Sequence, residues 1–157
     1  MHYFVSALFV LSVATCAMAY SDGAPAEVCD DMTPKHPFEP RKDKFPYTVA
    51  ISKTSLASGQ ETDITISGKD FKGFFVQVRK GNKAVGTFTT NPKEVRGVKC
   101  HGTANSAATH SNASVKKSIT LKWKAPQEKG ELEVYATVAE NGEIFWAKHK
   151  VGKITVK

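Results

Sequence analysis

The stretch "ELEVYATVAENGEIFWAKHKV", from Glu131 to Val151, carries the clearest structural signal in the chain. Every second residue in its first half is apolar: Leu132, Val134, Ala136 and Val138. A period of two is typical of a β-strand that buries one face. The pair Asn141-Gly142 then follows, and Asn-Gly between two alternating runs indicates a turn between antiparallel strands. The stretch therefore predicts a β-hairpin.

The same alternation recurs in shorter runs upstream, separated by Gly, Asn, Ser and Pro. These runs are "YTVAIS" (47–52), "TDITIS" (62–67), "GFFVQVRK" (73–80) and "SITLKWK" (118–124). No stretch has the period of a helix of ten residues or more. Many short strands with turn signals between them predict an all-β, antiparallel β-sandwich. In the last run Trp123 shares its face with Ile119 and Leu121, so we expect Trp123 in the core.

Residues 20–46 differ from the rest because they hold five of the seven prolines. Proline has no backbone N–H and does not fit inside a long helix or a central strand. We therefore predict that 20–46 is an extended segment that runs over a sandwich formed by residues 47–157.

Residues 1–19 have the pattern of a signal peptide. An apolar run from Tyr3 to Ala14 precedes the small-residue sequence Ala17-Met18-Ala19, which predicts cleavage after Ala19. The apolar run is shorter than the ~20 residues of a membrane-spanning helix. We expect a secreted, extracellular protein with no membrane span.

Removal of the signal peptide would also remove Cys16 and leave Cys29 and Cys100. Two cysteines in an oxidising compartment most simply form one disulfide. Closing a loop of this length would stabilise the fold by about 4 kcal/mol on the chain-entropy model. A disulfide would also prevent Cys100 from acting as a nucleophile.

The tract "VKCHGTANSAATHSN" (98–112) has no regular periodicity, and we interpret it as a surface loop. Its histidines, His101 and His110, could bind a metal together with His36 or His149. Zinc sites usually use short, rigid spacings, so we favour hydrogen-bonding histidines and predict no metal. The sequence Asn112-Ala113-Ser114 predicts N-glycosylation at Asn112.

The formal net charge of +7 favours anionic partners such as sulfated glycans, anionic lipids or bacterial envelope phosphates. Nucleic acid fits an extracellular protein less well. The candidate ligand-binding residues are the lysines before and along the predicted strand 118–124: Lys116, Lys117, Lys122 and Lys124. The chain has no Gly-x-Ser-x-Gly, His-Glu-x-x-His or P-loop motif, so we predict neither an enzyme nor a cofactor.

An ordered set of short motifs between Gly23 and about His149 resembles the reeler (reelin-type) domain, especially the small secreted insect defence proteins of the noduler-like kind. The motifs include "PYTVAIS", "FKGFFVQVR", "LKWKAP" and "IFWAKH". The resemblance implies one immunoglobulin-like domain over 20–157, a disulfide between Cys29 and Cys100, and a family loop at the tract 98–112.

The resemblance also implies a role in innate immunity, with microbial envelope polysaccharides or lipids as partners and aggregation of haemocytes as an outcome. An extracellular matrix or adhesive module that binds anionic glycans without a microbial ligand is the alternative.

Overall fold

The computed structural model describes residues 23–157, so the predicted signal peptide (1–19) lies outside the described residues. The described residues form eleven strands and one short 3-10 turn at Ala26–Val28. The strands are β1 (Thr48–Ile51), β2 (Ser55–Leu56), β3 (Glu61–Ser67), β4 (Gly73–Lys80), β5 (Lys83–Ala84), β6 (Thr87–Phe88), β7 (Val95–Cys100), β8 (Thr103–His110), β9 (Ile119–Lys124), β10 (Gly130–Ala139) and β11 (Phe145–Val156). Within the described part of the chain, no helix is long and apolar enough to cross a membrane.

The strands form two sheets, which we call sheet A and sheet B. Sheet A has the order β1-β3-β9-β6, and sheet B has the order β2-β11-β10-β4-β8-β7 with β5 beside β4. All pairs of strands are antiparallel except β11 and β2, which run parallel. The predicted all-β, immunoglobulin-like sandwich is confirmed.

The predicted hairpin is formed by β10 and β11. Its turn is longer than two residues, because the N–H of Glu140 donates to the carbonyl of Ile144 at 2.9 Å. The side chain of Asn141 accepts from the backbone N–H groups of Glu143 and Ile144, each at 2.9 Å. Asn141 therefore stabilises the turn through its side chain.

The main core lies between the two sheets and includes Trp123, which is 0% exposed. Its indole N–H donates to the carbonyl of Val85 at 3.1 Å. A Cβ on Gly86 would lie 2.5 Å from the Trp123 ring, so glycine is needed where the chain passes this side chain. The prediction that Trp123 belongs to the core is confirmed.

A second, smaller core lies on the outer face of sheet B, where residues 23–46 cover β4. We call these residues the N-terminal segment. Val28 and Met32 of this segment pack with Phe75 of β4 and with Val98 and Ala107 of the neighbouring strands. Strand β4 is consequently buried on both faces along almost its whole length.

The interpretation of residues 98–112 as a surface loop is wrong. Residues 95–100 and 103–110 are strands β7 and β8, and β8 pairs with both β4 and β7. Ala107 faces the small core and Ala108 faces the main core, and both are 0% exposed. Because both faces of β8 are covered, its side chains do not alternate between apolar and polar.

Candidate functional site

The N-terminal segment is joined to sheet B by a disulfide between Cys29 and Cys100, whose Cα atoms are 5.6 Å apart. Both cysteines are buried in the small core. The predicted disulfide is confirmed, and Cys100 is not available as a thiolate for catalysis or metal binding.

Side chains from β4 also hold the segment in place. The buried Arg79 guanidinium donates to the carbonyls of Cys29 and Asp30 at 2.6 and 2.8 Å. The Gln77 amide donates to the same Cys29 carbonyl at 2.9 Å, and its oxygen accepts from Arg79. Burial lowers the pKa of Arg79, although the cation is stabilised by these oxygens and by the Tyr135 ring at 5.6 Å. Arg79 thus has a structural role.

His101 connects three parts of the molecule through both ring nitrogens. Its Nδ1 accepts from the backbone N–H of Ala84 at 3.0 Å, and this fixes the neutral tautomer with hydrogen on Nε2. Nε2 lies 2.8 Å from a carboxylate oxygen of Asp30, and this hydrogen bond lowers the pKa of Asp30. His101 therefore ties the β7–β8 turn to β5 and to the N-terminal segment.

The other histidines considered as metal ligands lie in different surroundings. His110 Nδ1 accepts from the backbone N–H of Phe74 at 3.2 Å, and the His149 ring stacks on Phe45 at 4.7 Å. Across residues 23–157, the structure brings no three His, Cys, Asp or Glu side chains into an arrangement that could hold a metal ion.

A cleft of about 50 Å³ lies between the N-terminal segment and the outer face of sheet B. Pro25, Pro34 and His36 line it from the segment, and Phe74 and His110 are among the residues that line it from the sheet. The His36 Nδ1 atom is buried and has no hydrogen-bond partner among the described residues. Sequence patterns did not predict this cleft, because its walls come from distant parts of the chain.

We expect His36 to make folding stability depend on pH. Burial lowers the pKa of His36 below its ordinary value of about 6.5. The unfolded chain therefore takes up this proton first, so stability should fall as the pH decreases from about 6.5 through the folded-state pKa. Melting temperatures measured between about pH 7.5 and 5 should fall more steeply for the wild type than for His36→Phe. Parallel profiles would contradict this expectation.

The four candidate lysines lie at two ends of β9. Lys116 is half-buried, and its ammonium donates to the carbonyls of Lys72, Asn112 and Ser114 at 2.9–3.0 Å. Burial lowers the pKa of Lys116. The exposed Lys117 lies 3.5 Å from the Asp70 carboxylate.

Lys122 and Lys124 lie at the other end and face outward from sheet A, as predicted. Lys122 is 3.4 Å from the Asp63 carboxylate. Within residues 23–157, no carboxylate lies within ion-pair distance of the Lys124 ammonium; Glu61 occupies the opposite position on β3. A strand rises about 3.4 Å per residue, so Lys117 and Lys124 are roughly 20 Å apart and the four lysines do not form one patch.

Two open grooves flank the end of β9 that carries Lys122 and Lys124, and the Lys122 groove is the more polar of the two. One has a volume of about 380 Å³ and is lined by Lys124 together with Thr87, Thr103 and Gln127. The other has a volume of about 520 Å³. It is lined by Lys122 and by polar residues that include Lys53, Gln60 and Asp63. We call these grooves and their two β9 lysines the β9 end.

Asn112 is exposed in the connection between β8 and β9. Its amide N–H₂ donates to the carbonyl of Lys93 at 2.6 Å, and its oxygen accepts from the backbone N–H of Ser114 at 3.0 Å. Glycosylation at Asn112 stays a prediction.

The fold and these contacts define a class of protein: a β-sandwich with an N-terminal segment fixed across one sheet by a disulfide and by buried polar side chains. Residues 27–157 match the Reeler domain, and the chain belongs to this family. It is 34% identical to "Putative defense protein Hdd11" of Hyphantria cunea, over 95% of this chain and 96% of that protein. It is also 34% identical to "Defense protein l(2)34Fc" of Drosophila melanogaster, over 91% and 90% of the two chains.

A solved structure supports the fold. The reeler domain of human F-spondin matches 76% of this chain and 94% of its own, with a TM-score of 0.61 and 18% sequence identity. At this identity the match shows a shared fold.

Proposed function

We propose that the protein is a secreted defence protein that binds microbial envelope polysaccharides or lipids, of the lipopolysaccharide, lipoteichoic acid and β-glucan classes. The observation that carries this proposal is the match to relatives named as defence proteins over nearly the full length of both chains. A disulfide supports secretion, since such bonds persist mainly in oxidising compartments. The proposed activity is binding without catalysis.

The β9 end is the proposed binding surface. Two ammonium groups there can attract phosphates or acidic sugars, and the grooves offer hydroxyl, amide and carboxylate groups that can hydrogen-bond to sugar hydroxyls. Lys116 is a weaker candidate because its ammonium is already bound by three carbonyls.

The proposed glycan at Asn112 would lie in the connection before β9, near Lys116 and distant from the β9 end along the strand. It would therefore leave the proposed binding surface accessible. We further propose that bound microbes are presented to haemocyte surfaces and that this promotes aggregation.

A Lys122→Gln/Lys124→Gln variant should bind lipopolysaccharide about tenfold more weakly at low salt. Each exposed charge contact contributes up to about 1 kcal/mol, and a tenfold change corresponds to about 1.4 kcal/mol. Titration calorimetry at two salt concentrations would measure the loss, which should shrink as salt screens the charges.

The matched control is Lys42→Gln/Lys93→Gln, which removes the same charge from two exposed positions outside the β9 end. We expect this control to change affinity less than about threefold, since both charges lie outside the proposed contact. Equal losses in the two variants would show that net charge alone causes binding and would contradict the proposed location.

A further inference from the structure

The cleft beneath the N-terminal segment has fixed walls. The backbone N–H of Ala24 donates to the Thr109 hydroxyl at 3.0 Å, and the Thr137 hydroxyl donates to the Met32 carbonyl at 2.6 Å. The disulfide adds a covalent connection at Cys29. These three connections hold the N-terminal segment against sheet B.

The size of the cleft limits what it can enclose. The enclosed volume of about 50 Å³ is small and leaves room for a group of a few non-hydrogen atoms. The cleft can therefore enclose a substituent of a sugar.

The walls are mostly apolar, with Pro25, Pro34, Phe74 and Phe75 among them. Gly73 also lines the cleft, and a Cβ there would lie 2.9 Å from the His110 ring, so glycine leaves room for this imidazole. An apolar group such as a methyl would gain free energy by leaving water for this surface.

His36 lines this apolar cleft, and its buried Nδ1 atom has no hydrogen-bond partner among the described residues. A buried nitrogen without a partner is costly, and a ligand that reaches it would remove that cost. Burial lowers the pKa of His36, which favours its neutral form. Neutral imidazole has one nitrogen that donates and one that accepts, so a ligand with both a donor and an acceptor suits either tautomer.

We propose that this cleft binds the acetamido group of N-acetylated amino sugars in envelope polysaccharides. An acetamido group has four non-hydrogen atoms, with an apolar methyl for the walls and an amide N–H or carbonyl for His36. This inference rests on the proposed function and adds the class of sugar to it. The cleft lies on the outer face of sheet B and the β9 end on sheet A, so the two sites can be tested separately.

The test compares triacetylchitotriose with cellotriose, a neutral trisaccharide without acetamido groups. Titrations at about 0.5 M salt screen the contribution of exposed lysines. We expect triacetylchitotriose to bind at least tenfold more tightly. Equal affinities, or no binding of either sugar, would overturn the inference.

Two variants test the position of the site. His36→Phe keeps an aromatic ring but removes both ring nitrogens, and Ala139→Leu fills the cleft from β10. Each variant should weaken triacetylchitotriose binding at least tenfold. If His36→Phe does not fold, the affinity of Ala139→Leu alone tests the position of the site. Unchanged binding in a folded variant would overturn the assignment.

The Lys122→Gln/Lys124→Gln variant distinguishes this inference from the proposed function. It should bind triacetylchitotriose as the wild type does while it binds lipopolysaccharide more weakly. If the wild type bound lipopolysaccharide but not triacetylchitotriose, the acetamido site would be overturned and the proposed function would stand. Absence of both would contradict both proposals.

Discussion

Replacing Cys29 with serine should lower the free energy of unfolding by about 4 kcal/mol. The disulfide closes a loop with a sequence separation of 71 residues, and on the chain-entropy model its loss makes the unfolded chain freer by about this amount. The change should also loosen the N-terminal segment, because Cys29 belongs to the small core under it. Urea-induced unfolding followed by tryptophan fluorescence would measure the loss.

Chemically reduced wild type is the control, since it lacks the same bond and should unfold at a similar urea concentration. Denatured Cys29→Ser should contain one titratable thiol, at Cys100, and denatured unreduced wild type should contain none. Two thiols in the unreduced mature wild type, or equal stability of the variant and the wild type, would contradict the disulfide and its role.

The change Trp123→Ala should destabilise the fold by about 3–5 kcal/mol. The side chain is 0% exposed, and its removal would leave a cavity between the sheets and an unpaired carbonyl at Val85. The adjacent change Lys122→Ala is the matched control, because it alters the exposed face of the same strand and should cost less than about 0.5 kcal/mol. Urea-induced unfolding followed by far-ultraviolet circular dichroism would compare the two.

If Trp123→Ala kept wild-type stability and lost ligand binding, the assignment of faces on β9 would be wrong. Trp123 would then belong to the exposed, ligand-binding face. Trp123→Phe adds a second comparison. It retains much of the buried aromatic surface, so its loss of stability should be smaller than that of alanine.

Alternation predicted the longer strands whose apolar residues recur at every second position. On β9, Leu121 and Trp123 are buried while Lys122 and Lys124 are exposed, so the period of two is visible in the sequence. On β8 the same reasoning failed, because Ala107 and Ala108 are both buried, on opposite faces. The residues that cover the outer face come from the N-terminal segment, and a local pattern cannot reveal such a distant contact.

The candidate sites show a similar limit. Strand parity predicted the outward direction of Lys122 and Lys124 but not that Lys116 is held by carbonyls at the opposite end of β9. The cleft is lined by His36 together with Phe74 and His110, which are far from His36 in sequence. Sequence therefore predicted single residues and faces, while the combinations of residues at each site follow from the tertiary fold.

Equilibrium binding of purified lipopolysaccharide and of heparin, at matched near-physiological salt, tests the central claim most directly. Heparin serves as a generic polyanion for a protein with a net charge of +7. Recognition of microbial envelopes predicts at least tenfold tighter binding of lipopolysaccharide, because the proposed contacts between its sugars and the grooves of the β9 end would add to the attraction from net charge. Equal affinities that disappear together as salt increases would contradict the proposed defence function and would favour an adhesive module for anionic glycans.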